Sequence, residues 1–287
     1  MRSMSWVLLA LCVACATEPA VPETEQDLAA ADPNAMPRDI RDFEQANGWH
    51  TMHVKWHVER QWNLLSAADR KWAQGQKFVA AALQEGQKGN GLEFMAMHRV
   101  MLETLRTKFP KSAALFTGWD AVPTDPADKA NPLPNKAKTA FDADKQAALK
   151  KLTDDIGSFA SDDELGLFLE TSLRPTASNP GARSTDKSSG VHNYLHNRFA
   201  DGGTIDLGDP GKNLQNKVFW RLHGWLDARW AAYRAKKGLK DTEPAYKAAM
   251  DKARMDMMPK MSGTKDGLGG PASPAPKSLM QQIFAND

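Results

Sequence analysis

Cysteine is nearly missing: there are two in 287 residues, Cys12 and Cys15, both within the first fifteen. The rest of the chain therefore has no internal disulfide. It also has no thiolate to offer a metal, which leaves imidazole, carboxylate and thioether as ligands. Tyrosine is scarce, three residues against nine tryptophans. Tryptophan brings large buried area, so this bias predicts a well-packed helical core. Strand-type alternation is almost absent, and no repeat of solenoid period occurs. The net charge is only +2, which gives no basis for binding nucleic acid or an anionic membrane surface.

The apolar run at 6–14 is too short to cross a bilayer as a helix. With Arg2 before it and small residues after it, the stretch 1–15 reads as a secretory signal. "CVAC" ahead of "ATEPA" resembles a bacterial lipobox with Cys15 as the lipidated residue. Cys12 stands where that pattern has leucine, so plain secretion is the alternative. The expected location is secreted, or a periplasmic or outer-membrane lipoprotein of a bacterium, held to the membrane through the lipid if Cys15 is acylated. Residues 16–37, rich in Pro, Ala and acids, read as a flexible tether. A helical domain is expected over 38–240, then a C-terminal helix and tail over 241–287.

Within the domain, "RDIRDFEQANGWHTMHVKWHVERQWNLL" has helical apolar spacing and no proline. Ser66 followed by Asp69 predicts a capped second helix through Glu85. A third is expected over Leu92–Lys108, ending before Pro110. Five prolines in 109–135 predict a long loop. Further helices are expected in "NKAKTAFDADKQAALKKLTDDI", after Ser161, over Leu214–Lys236 and near 243–257. Trp220, Trp225 and Trp230 follow helical spacing and are expected in the core.

There are seven histidines: His50, His53, His57, His98, His192, His196 and His223. His53/His57 and His192/His196 are each four apart. Chance placement gives roughly 0.15 such pairs. The i, i+4 spacing sets two imidazoles on one helix face, one turn apart, within reach of one ion. Each pair needs a third ligand, and His98 and His223 lie deep in strong helical patterns. Two sets of three follow: His53, His57, His98 and His192, His196, His223. The predicted fold is mainly α, a four-helix-bundle core holding a dinuclear metal site, with long loops and a C-terminal tail. Imidazole-only sites suit Cu, Zn, Fe or Ni. None of the histidines has a glutamate three before it, as the di-iron motif requires. Trigonal all-nitrogen ligation favours a pair of coppers. His50, three before His53, lies near the same face, either as a neighbour of the site or in place of one ligand.

These residues resemble a known family. "GVHNYLHNRF" followed by "NKVFWRLHGWLDARWAAY" is similar to the second copper motif of the type 3 dicopper proteins: tyrosinases, catechol oxidases and hemocyanins. Phe219, His223, Asp227 and Arg229 match, with Ala228 intervening where the family often has Asp and Arg adjacent. "GLEFMAMHRVMLETL" resembles the third-histidine segment of the first site, with His98, Arg99 and Glu103 in place. "WHTMHVKWHVERQW" resembles the arthropod hemocyanin arrangement. Bacterial tyrosinases take their second ligand from a loop, and the matching position here is Gly89. The resemblance covers about 50–108 and 188–236.

It implies two copper ions as cofactor, with O2 and a phenol or catechol as partners. The implied activity is copper-dependent oxidation to quinones, with monooxygenase activity on phenols if hydroxylation also occurs. It gives Asn193 a catalytic part, holding a water that helps deprotonate a phenol together with an acid about nine positions earlier. Arg183 stands there, so the acid is absent unless Asp186 replaces it. Phe219 is expected beside the metals. Gly224 implies room over the second copper for large substrates, or else close helix packing. Asp227 either orients the site or pairs with Arg99 or Arg229. Met250, Met255, Met257, Met258 and Met261 fill apolar surface, with copper loading as the alternative. The end "SLMQQIF" is expected over the mouth of the site. Two other functions stay open: O2 binding without turnover, and a structural envelope lipoprotein whose histidines hold zinc or nothing.

Overall fold

The computed structural model describes residues 32–134, 139–171 and 186–257, with 276, 279, 283 and 284. The proposed signal and residues 16–31 of the tether lie outside the described residues. From Asn34 onward the chain forms one compact unit. It is mainly α. Among the described residues the only β contact is an isolated bridge between Ala35 and Asn216. No helix among them is long and apolar enough to cross a membrane.

The helices are α1 (Arg38–Ala46), α2 (Trp49–Arg60), α3 (Ala67–Gly75), α4 (Asn90–Lys108), α5 (Ala143–Asp154), α6 (Asp162–Glu170), α7 (Val191–Arg198), α8 (Lys217–Lys237) and α9 (Pro244–Met257). Local chemistry fixes many ends. The side chains of Ser66, Asp142, Ser161 and Asn216 accept hydrogen bonds from first-turn amides of α3, α5, α6 and α8. Each satisfies a donor that the helix leaves open. α4 stops at Lys108 before Pro110, and α8 ends on Gly238 in the left-handed region.

Three expectations are corrected. The first helical stretch is two helices, because Gly48 takes φ 66° between α1 and α2. That conformation is cheap for glycine and breaks the ladder. The helix expected from Ser66 to Glu85 ends at Gly75. Beyond it the chain turns through Lys77 at φ 62° and bonds back onto α2, Ala81 N–H to the Glu59 carbonyl and Glu85 N–H to the Arg60 carbonyl. The helix expected to begin near Asn135 starts at Ala143, where Asp142 caps it. The proline-rich loop after α4 also holds a 3-10 helix, Pro110–Phe116.

α4 lies at the centre, packed on α6, α8 and α9. The main core includes the tryptophans at 49, 56, 220, 225 and 230. A second, smaller cluster joins Val54, Val58, Leu65, Ala73 and Phe78 to Leu279, Ile283 and Phe284 of the C-terminal segment.

Candidate metal centre

Six histidines converge inside the protein, contributed by α2 (His53, His57), α4 (His98), α7 (His192, His196) and α8 (His223). All six are buried, none more than 4% exposed. Ring centroids are 4.8 Å apart for His53 and His57, 4.5 Å for His192 and His196, and 4.1 Å for His98 and His223. The i, i+4 pairs thus do bring two rings to one face.

Hydrogen bonds fix which nitrogen faces inward. Nδ1 of His53, His98, His196 and His223 lies 3.1, 3.0, 2.8 and 2.8 Å from the carbonyl oxygens of Pro210, Phe94, Leu207 and Phe219. A carbonyl only accepts, so each Nδ1 carries its proton and each Nε2 presents a lone pair. His192 Nδ1 is 2.8 Å from the Asn193 Oδ1, which gives the same result. Two of these lone pairs, on His192 and His223, face each other at 3.2 Å. His57 Nε2 is likewise 3.2 Å from His53 Nε2. His98 Nε2 and His196 Nε2 are buried without any hydrogen-bond partner. Unpaired buried acceptors converging in this way are costly unless a cation sits among them. Neutral imidazoles with the outer N–H held by carbonyls are the donor set that transition metals take. The residues therefore have the donor chemistry of a transition-metal site.

The grouping differs in one respect from the spacing argument. Ligand nitrogens of His53, His57 and His98 lie within 4.8 Å of one another, as do those of His98, His192 and His223. His98 is thus common to both groups, and His196 stands outside the tighter second one. A C-terminal ring explains its setting: Phe284 stacks flat on His196 at 4.0 Å and 2°, with its ring also 5.4 Å from His57 and 5.8 Å from His192. Phe219 also lines the cluster, 3.9 Å from His223 and 5.3 Å from His53. Trp56 and Phe94 complete the apolar wall, 5.0 Å from His57 and 4.7 Å from His98.

His50 belongs to neither group. It sits in the first turn of α2 with Nε2 4.0 Å from the buried Glu44 carboxylate. His50→Ala is expected to leave the metal content per chain unchanged. Loss of an ion from that variant, measured by elemental analysis after dialysis, makes His50 a ligand.

Other positions resolve as follows. Asp227 pairs with Arg99 at 2.5 Å and Arg106 at 3.0 Å, not with Arg229. The Arg99 guanidinium also lies over Trp230 at 3.7 Å and donates to the Tyr246 hydroxyl. This ties α4 to α8 and α9 one residue after His98. Gly224 does not open space for substrate. A Cβ there would stand 2.5 Å from Gly118 N and Phe116 O, so the glycine admits the backbone of the loop after the 3-10 helix. Asn193 commits its carboxamide oxygen to His192. Asp186 is exposed and accepts from the Ser188 amide and hydroxyl, while Arg183 lies outside the described residues. Met250 and Met257 are buried core residues and Met255 is exposed. Met258 and Met261 also lie outside the described residues.

Sequence reasoning did not find the carbonyls of Leu207 and Pro210, although the "DLGDPGKN" loop carries them. It also passed over Glu44, which is fully buried with neither carboxylate oxygen hydrogen-bonded and with His50 Nε2 4.0 Å away. Burial pushes its carboxyl well up, against the pull of Arg41.

Burial lowers the basicity of all six rings, to about 4 for His53 and about 3 for His196, with the others well below the usual imidazole range. The sign follows directly. Below pH about 6.5 the unfolded chain takes up protons on these rings and the folded chain does not. Stability of the metal-free protein is therefore present above that pH and is lost as pH falls toward 4, by about 1.4 kcal/mol per ring per pH unit. Burial lowers His50 to about 4 as well, so Glu44, which acts in the opposite sense, is one group against seven. The metal-free protein is therefore expected to be less stable at pH 5.5 than at pH 7.5. Denaturant midpoints at pH 7.5 and 5.5 check this, and equal midpoints contradict it.

No protein-family model matches this chain, and no curated protein matches it either, so a functional reading rests on the chemistry of the site.

Proposed function

We propose that the chain is a type 3 dicopper oxidase that uses O2 to oxidise phenols or catechols to quinones, on a core of four histidine-bearing helices. The observation that carries this reading is the set of six buried imidazoles whose outer nitrogens are bound to oxygen acceptors in five cases and whose Nε2 atoms converge. A copper pair, when bound, supplies the binding and reduction of O2. The protein's residues do the rest. Leu207, Pro210, Phe94, Phe219 and Asn193 hold the ring tautomers. Phe219, Phe94 and Trp56 exclude water. His196 offers a flat face on which an aromatic ring stacks.

Among the described residues the converging groups hold imidazoles and no carboxylate, which argues against a di-iron site. A secreted or lipid-anchored location through Cys15 belongs to the same reading.

One observation favours O2 binding without turnover: Phe284 covers the face of His196. One experiment separates the readings. The protein is loaded with copper, reduced, and exposed to O2, and the near-ultraviolet spectrum is followed before and after addition of 4-methylcatechol. A new band with quinone formation supports the oxidase. A band without quinone leaves the carrier, and no band ends both.

A further inference from the structure

Trp56, which borders the histidines, also lines a separate cleft of about 210 Å³ between α2, the chain after α3, α4 and α9. No histidine lines this cleft. Its apolar surface comes from Met52, Trp56 and Leu83, with Ala81 and Ala82 beside them. The loop that carries Ala81–Leu83 is tied to α2. Gln84 Nε2 donates to the carbonyls of Glu59 and Ala81, and the Val79 N–H donates to Glu59 Oε1 at 3.0 Å.

Six charged side chains line the same cleft, three of each sign, and they are sorted by depth. Arg60, Glu59 and Glu93 are 6%, 14% and 17% exposed, against 39%, 40% and 43% for Lys55, Asp256 and Lys252. The inner group has one guanidinium against two carboxylates and is net negative. The outer group has two ammoniums against one carboxylate and is net positive. Arg60 is engaged within the wall: its guanidinium lies over Trp56 at 4.0 Å and pairs with Glu93 Oε2 at 2.5 Å. Each inner carboxylate is engaged on one oxygen. Lys252 stands 3.7 Å from Glu93 Oε2 and Lys55 stands 3.8 Å from Glu59 Oε1, both too long for a hydrogen bond. Among the described residues nothing bonds to Glu59 Oε2 or Glu93 Oε1.

We propose that this cleft binds a free α-amino acid with an apolar side chain. The ammonium meets the open oxygens of Glu59 and Glu93, the carboxylate lies outward at Lys55 and Lys252, and the side chain rests on Met52, Trp56 and Leu83. At ~30 Å³ per water, the cleft has room for about seven waters, which suits a molecule the size of leucine. A simple amine leaves the outer ammoniums without a counter-charge, and a simple carboxylate meets two like charges further in. The site needs no metal and stands apart from the oxidase reading.

The test titrates the full-length, metal-free protein calorimetrically with L-leucine, with 3-methylbutylamine, which lacks the carboxylate, and with 4-methylpentanoate, which lacks the ammonium. Leucine is expected to bind at least about tenfold more tightly than 4-methylpentanoate, because largely buried carboxylates hold the ammonium. Its advantage over the amine is expected to be about two- to fivefold, because ion pairs at an exposed rim contribute less. Glu59→Gln keeps an acceptor for the Val79 amide and is expected to weaken leucine by about tenfold. Lys252→Gln changes an exposed position on α9 and is expected to weaken it by about two- to fivefold. It carries the test if Glu59→Gln does not fold. Leucine that fails to saturate by about 10 mM, that binds no more tightly than the amine, or that binds both variants as it binds the wild type overturns the proposal. The six charges then serve only to pair with one another.

Discussion

His98→Ala is expected to cost the protein both metal ions, where His53→Ala costs one. Its Nε2 belongs to both groups of mutually close ligand nitrogens, the one with His53 and His57 and the one with His192 and His223. It is also buried with no hydrogen-bond partner, the setting of a nitrogen that faces a cation. Removing an outer partner of a metal ligand typically costs about 10- to 100-fold in affinity. Removing the ligand itself is expected to cost at least about a hundredfold at each position it serves. Copper per chain, measured after dialysis against a weak chelator, should fall below one for His98→Ala and settle near one for His53→Ala. The near-ultraviolet response to O2 should vanish in both, since it needs the pair. A His98→Ala protein that keeps one ion assigns His98 to the first group only and makes His196 the third ligand of the other, as the sequence spacing predicts. Retention of both ions shows that His98 is an essential ligand of neither group.

The two outcomes differ because sequence spacing and spatial grouping draw on different information. Spacing of four within α2 and α7 is local, and a helix turns it into adjacency without help from the rest of the chain. The caps at Ser66 and Ser161, the end of α4 before Pro110 and the extent of α9 were legible for the same reason. Each is written in residues a few positions apart. What lay beyond reach was non-local. The carbonyl that orients His53 comes from Pro210, 157 positions away. The contact of Gln61 with Ile283 spans 222 positions. Gly224 illustrates the limit from the other side. A glycine after the third histidine fits both an open pocket and a tight crossing, and only the position of Phe116 and Gly118 decides for the crossing. The break at Gly48 and the early end of α3 at Gly75 were overrun because apolar periodicity continued past them, while the backbone at Gly48 and Lys77 went left-handed.

Phe284→Ala is expected to raise kcat/KM for a small catechol by about 30- to 1,500-fold. The estimate follows from what holds the ring in place. Full burial of a phenylalanine side chain contributes about 1.5–3 kcal/mol, and a stacked aromatic pair adds about 0.5–1.5 kcal/mol. An external ring must displace this contact from His196, and each 1.4 kcal/mol of competition is a factor of ten. The same substitution removes a buried side chain from the cluster of Val54, Val58 and Phe78, so the thermal midpoint should drop while copper content stays at the wild-type value. The three measurements together decide the role of the ring. Higher turnover with unchanged copper identifies Phe284 as an occupant of the substrate position. Lower turnover with lost copper identifies it instead as a support for His196, whose imidazole it covers at 2°. Unchanged turnover with the band on O2 intact and no quinone formed turns the reading to an O2 carrier, because an open face on His196 then has no substrate to admit.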